Sequence, residues 1–176
     1  MPRARRAQLV KTRKAVRRSL HRNKKIVLPD YAIDLSWSAG SGDLDLHYLV
    51  AIGESGAPTW TINYIGRGSL DAAPYTRLER DAREGGDPER IVGRRWYDGV
   101  SEVWVHDYEG RSTASLRTTG ARVDLLINEE AWSFAVADAP FDSASSDSSG
   151  WWHVCDLVVT GSAVAVDTVQ AFQPAP

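Results

Sequence analysis

The chain has a single cysteine, Cys155, in 176 residues, so no disulfide joins one part of it to another. Its core alone must hold the fold, and this cysteine usage fits a reducing compartment such as a bacterial cytoplasm. No apolar run approaches the roughly 20 residues of a membrane-spanning helix. The N-terminus is basic but lacks the apolar segment of a secretory signal, so export by that route is not expected. Catalytic signatures are scarce too. There is no G-x-S-x-G nucleophile elbow, and Gly66-Arg67-Gly68 is too short for a phosphate-binding loop. Cys155 stands beside Asp156 within a strand-like run, a setting that disfavours a reactive thiolate. No spacing of acids argues for a glycosidase pair, and no internal repeat is visible. Together these absences point away from an enzyme.

Acidic residues are missing from positions 1–25, which carry eleven Lys and Arg. The remaining chain carries ten basic and twenty-three acidic residues, so a net charge of −2 conceals a body near −13. That asymmetry divides the chain into a basic arm, residues 1–28, and one domain, residues 29–176. With 43% hydrophobic residues and seven tryptophans, the domain has ample material for a core.

The arm has no Gly or Pro over residues 3–25, and Leu9, Val10, Val16 and Leu20 trace a narrow apolar stripe along a basic rod. An isolated helix of this charge repels itself, so it is conditionally helical and orders against something acidic. Arg5, Arg6, Lys11, Arg13, Lys14, Arg17, Arg18 and Arg22 are its candidate partner-binding residues. The expected partner is a protein, including the acidic body of a second copy. Nucleic acid is the alternative, held through its backbone charge, because the arm has no aromatic for base stacking.

Within the domain, the stretch Ser41–Ile52 organises the rest. Leu44, Leu46, Tyr48, Val50 and Ile52 alternate with Asp43, Asp45 and His47, the period of a half-buried strand. Similar alternation marks Ile33–Trp37, Thr59–Tyr64, Val100–Tyr108, Arg111–Thr118, Arg122–Asn128, Trp132–Val136, Trp151–Val159 and Ala163–Ala171. Between Gly66 and Gly99 the pattern dissolves into a long acidic loop, with room for a short helix over Thr76–Arg83. About nine strands with frequent turn signals predict an all-β fold, an antiparallel β-sandwich.

Asp43 and Asp45 put two carboxylates side by side on one strand face, where like charges repel and a bound cation relieves them. If the 66–99 loop closes over them, Asp71, Asp87 and Glu89 complete a candidate Ca2+ site, since calcium takes six to eight oxygens from distant segments. A solvated acidic face is the plain alternative. His47, His106 and His153 each lie within an expected strand and would form a zinc or iron site only if those strands converge. Trp151 and Trp152 are consecutive, so one of them faces away from the core.

Four segments, Gly42-Asp-Leu-Asp-Leu-His47, Ser69-Leu-Asp71, Gly86-Asp-Pro-Glu-Arg-Ile91 and Val103-Trp-Val-His-Asp-Tyr108, together resemble the uncharacterised YfaP-like bacterial family. Trp151–Leu157 is similar to a further segment of such domains. The D-L-D motif and acidic loop are also similar to the tellurium-resistance stress proteins. The resemblance implies a β-sandwich without catalytic activity, and the second likeness implies calcium at Asp43 and Asp45. Ala72-Ala73 and Arg90 depart from these patterns at positions where an acid and an Asn are usual. The combined expectation is a non-enzymatic binding or assembly module of a stress- or defence-type system. A nucleic-acid-binding protein is the first alternative and a metal-dependent hydrolase the second.

Overall fold

The computed structural model describes residues 30–52, 58–110, 112–140 and 150–176. In chain order the strands are β1 (Tyr31–Ser36), β2 (Leu44–Ile52), β3 (Pro58–Ile62), β4 (Gly68–Ser69), β5 (Thr76–Arg80), β6 (Glu89–Gly93), β7 (Gly99–Asp107), β8 (Arg122–Ile127), β9 (Glu130–Ala135), β10 (Trp151–Thr160) and β11 (Ala163–Phe172). One short helix, α1 (Thr113–Thr118), sits between β7 and β8. The strands form two antiparallel sheets, six-stranded in the order β4-β5-β6-β1-β8-β9 and five-stranded in the order β11-β10-β7-β2-β3.

Alternation makes each sheet one-sided. Tyr31, Ile33 and Leu35 of β1 and Val123, Leu125 and Ile127 of β8 meet Leu44, Leu46, Tyr48 and Val50 of β2 and Val103 and Val105 of β7 in one buried cluster. The two inner faces therefore close a β-sandwich core. Tyr31 fits because its register partner is Gly93, where a Cβ would lie 2.0 Å from the tyrosine ring.

Among the described residues there are eleven strands, against about nine expected. Residues 66–99 are not one loop, and Thr76–Arg83 is not helical; β4, β5 and β6 lie there. Their alternation is hidden because β5 (TRLER) has one large apolar residue, Leu78, and β6 turns Glu89 inward beside Ile91. Conversely, residues 113–118 form α1 rather than a strand. Ser112 caps that helix by accepting from Ser115 N–H, and Leu116 anchors it in the core.

Two local features shape the outer face of the five-stranded sheet. In β10 the register shifts between His153 and Cys155, and the consecutive Val154 and Cys155 both reach the core. This bulge puts His153 and Asp156 on one face, where they hydrogen-bond at 2.8 Å. In β2, the neighbour β3 pairs only with Tyr48–Ile52. The Leu44–His47 half thus has an edge that β3 leaves uncovered.

The arm, with Arg5, Arg6, Lys11, Arg13, Lys14, Arg17, Arg18 and Arg22, lies outside the described residues. Among the described residues no helix is long and apolar enough to cross a membrane.

Candidate metal centre

The uncovered half of β2 is met from the opposite sheet by Glu89. Its register with Leu35 sends the side chain into the sandwich, where it is fully buried, and Oε2 accepts from Leu46 N–H at 2.6 Å. Beside it stand Asp45, 4% exposed on β2, and Asp81, immediately after β5. Carboxylate oxygens of Asp45, Asp81 and Glu89 lie within 4.8 Å of one another. Two ligands of one Ca2+, each at about 2.4 Å, can be that far apart and no farther.

Burial dominates the electrostatics. It pushes the Glu89 carboxyl up to about 9; the Leu46 N–H opposes this, while the charges of Asp45, Asp81 and Asp43 add to it. Asp45 is pushed up to about 7 by burial and then by Asp43 and Asp81. Asp43 is raised by burial and by Asp81, with Arg83 opposing. Without a counter-charge these groups resist ionisation, and a bound divalent cation would reverse that.

Asp45 also belongs to a second group, with His47 and His106, whose ligand atoms again lie within 4.8 Å of one another. Asp45 faces His106 across the β2–β7 pair. The His47 proton is placed by its neighbour Asn63. Asn63 Oδ1 accepts from Ile65 N–H at 3.0 Å and Gly66 N–H at 2.8 Å, so its Nδ2 is the atom that faces His47 Nδ1 at 3.2 Å. The turn needs glycine at 66, where a Cβ would lie 2.9 Å from Thr61 O. His47 Nδ1 is therefore an acceptor, and in the neutral ring Nε2 carries the hydrogen. Burial, then His106, lowers the His47 pKa to about 4, which keeps the ring neutral. A ring whose Nδ1 is occupied and whose Nε2 is protonated offers no lone pair to zinc. His47 thus presents Nε2–H as a donor, and the oxygen-only group of Asp45, Asp81 and Glu89 is the one that could hold a cation.

The buried polar atoms that lack a hydrogen-bond partner converge here. Four are found among the described residues: Asp45 Oδ2, Glu89 Oε1, His47 Nε2 and Trp96 Nε1. Three of the four surround Asp45. A buried acceptor without a donor costs about 1–3 kcal/mol, and two such oxygens belong to one carboxylate cluster, where a positive charge would relieve them.

The other expected ligands are elsewhere. Asp71 is almost fully exposed and lies 3.7 Å from Arg94. Asp87 is exposed and lies 3.4 Å from Arg80. Both sit on surface turns, outside the oxygen cluster, whereas Asp45 and Glu89 are in it and Asp43 acts on it by charge. Asp81 escaped the sequence reading of the site because, one residue past a strand hidden by its charges, nothing set it apart from the other acids between 66 and 99.

The third histidine does not join the first two. His153 stacks on Trp104 at 4.0 Å and 10°, bonded to Asp156, while Trp104 Nε1 donates to Glu102 at 2.8 Å. His153, Asp156 and Glu102 also meet within 4.8 Å, but His153 is bonded to Asp156 and Glu102 accepts from Trp104. Trp152 is in the core, and Trp151, on the other face, stacks on His106 at 4.1 Å. Cys155 is buried, its thiol raised by burial and by Asp156. Compared with models of known protein families and with curated proteins, the chain matches none.

Proposed function

We propose that this chain is a non-enzymatic β-sandwich binding module that holds a hard divalent cation, Ca2+ by preference, at the uncovered edge of β2, where Glu89 of the opposite sheet meets it, through Asp45, Asp81 and Glu89. The observation that carries this reading is the pair of buried, unpartnered carboxylate oxygens, Asp45 Oδ2 and Glu89 Oε1, within one three-carboxylate cluster. Oxygen-only ligation favours calcium over zinc, and the inaccessible His47 lone pairs favour it again. The cation would neutralise charge that burial makes costly and tie β2 to β6. The D-L-D likeness to calcium-binding sandwiches agrees with this reading. The basic arm gives the module an acidic protein partner, including a second copy; its support is the charge split of +11 against about −13.

Thermal unfolding with Ca2+ and with EDTA tests the cation. At a hundredfold excess over Kd, Ca2+ should stabilise the protein by about 2.7 kcal/mol. Glu89→Gln, which keeps an acceptor for Leu46 N–H, should remove most of that gain while the protein stays folded in EDTA. Equal stability of the parent chain with Ca2+ and EDTA rejects the reading.

A further inference from the structure

The two sheets differ in how their charges are answered. On the six-stranded sheet Asp34, Glu79 and Asp124 pair with Arg90, Arg77 and Arg122. The five strands of the other sheet contain no Lys or Arg. Acids on its outer face fall in a line, because register sets Glu102 of β7 opposite Asp156 of β10, and Asp156 opposite Asp167 of β11. Like charges opposed on neighbouring strands repel. Glu102 accepts from Trp104 and Asp156 is bonded to His153, but among the described residues no Lys or Arg pairs with any of the three. Asp167 is exposed, and Glu102 and Asp156 are half-buried, so solvent reaches the whole row.

An apolar row runs beside it. Two residues along each strand, on the same face, stand Val100, Val158 and Ala165, and Ile52 of β2 extends the row opposite Val100. Ala165 is exposed and the other three are half-buried. Four strands at ~4.8 Å make this row about 14 Å long, with the carboxylates about 6.7 Å to one side.

The arm carries the complement in its sequence. Leu9, Val16 and Leu20 recur at i, i+7 and i+11, and Arg6, Arg13 and Arg17 repeat that spacing three residues earlier. On a helix these would be neighbouring stripes, each about 16 Å long and about 5 Å apart around the cylinder. Their length and separation match the two rows of the sheet, and their charge is the opposite one.

We propose that the outer face of the five-stranded sheet is the seat of the basic arm of a second copy. Leu9, Val16 and Leu20 cover the Val100–Val158–Ala165 row, and Arg6, Arg13 and Arg17 reach Glu102, Asp156 and Asp167. This rests on the reading of the arm given above and is independent of the cation.

The test measures association of the full chain by light scattering over a dilution series at low and high salt. Asp167→Lys, at an exposed position of the face, should weaken low-salt association about tenfold. Asp71→Lys makes the same change in net charge at an exposed turn beside the other sheet, and should weaken it by less than about threefold. Val158→Thr, which changes no charge, should weaken association and leave its salt dependence as it was. Equal losses from Asp167→Lys and Asp71→Lys overturn this proposal, since the attraction is then to the total charge of the body, and leave the reading of the arm standing. A monomer whose tryptophan fluorescence responds to salt only while Asp167 is intact seats the arm on its own sheet and overturns the second copy. A monomer without that response overturns this proposal and self-association together.

Discussion

At the scale of single residues, Asn63 governs what the site accepts. Its amide is fixed by two backbone N–H groups, and it fixes the His47 proton in turn. Asn63→Asp should keep both turn hydrogen bonds but present an acceptor to His47 Nδ1. The ring would then protonate at Nδ1 and free Nε2 as a ligand, the carboxylate–histidine arrangement typical of zinc sites. Zn2+ affinity by calorimetry should rise at least tenfold, and an unchanged value would mean the tautomer is not set by Asn63. Residue chemistry also sets the pH response of the cation-free protein. Glu89 and Asp45 are harder to ionise folded than unfolded, being raised to about 9 and about 7. Between the ordinary carboxylate range and those values the native state holds protons that the unfolded chain has released, so stability falls as pH rises. His47, lowered to about 4, works the other way and costs stability as pH drops below about 6.5. Across pH ~4.5–6.5 the two carboxyls outweigh His47, so melting temperatures in EDTA should decline from pH ~5 toward pH ~9, His47 only softening the fall below pH ~6.5, and saturating Ca2+ should flatten that decline.

At the scale of elements, the sequence was legible where one side chain in two is apolar. β2 and β7 follow that rule, with Leu44, Leu46 and Tyr48 and Val103 and Val105 inward and Asp45, His47, Trp104 and His106 outward. It fails where a strand is short, charged or buries a carboxylate, as in β5 and β6, because periodicity counts apolar residues and Glu89 is not one. It also fails at α1, where Arg111–Thr118 alternates loosely enough to pass for a strand although Ser112 supplies a helix cap. Arg117 of that helix reaches across to Ala139 O at 2.5 Å, fastening the connection between β9 and β10. Ser112→Ala should cost about 1 kcal/mol in denaturant unfolding, and a change below a few tenths would mean that tertiary contacts alone hold the turn. The candidate site was legible to the same degree as the elements carrying it. Asp45 and His47 lie on a well-marked strand, and Asp43 immediately precedes it. Asp81 depends on the end of β5, and the exclusion of Asp71 and Asp87 depends on turns between strands that alternation does not reveal.

At the scale of the whole molecule, the charge division dominates. A segment with eleven positive charges joined to a body near −13 should associate with other copies at low salt through contacts that salt screens. Light scattering of the intact chain and of a chain beginning at residue 29 checks this. The intact chain should show a larger mass at low salt, and loss of either the arm or the low salt should return it to monomer. A monomer under every condition would redirect the arm to another acidic partner, nucleic acid first. The domain itself has a different weakness. Its sheets meet through apolar side chains, which can slide, and through directional contacts such as the hydrogen bond from Leu46 N–H to Glu89, which cannot. That bond joins an edge strand segment of one sheet to an inward carboxylate of the other, so it survives only while the two sheets stay in register. A clasp of this kind forms after the sheets have docked and breaks before they part. Its strength, and that of any ion seated on it, is therefore felt as a slower rate of opening, and the lifetime of the folded state depends on it more than the speed of folding.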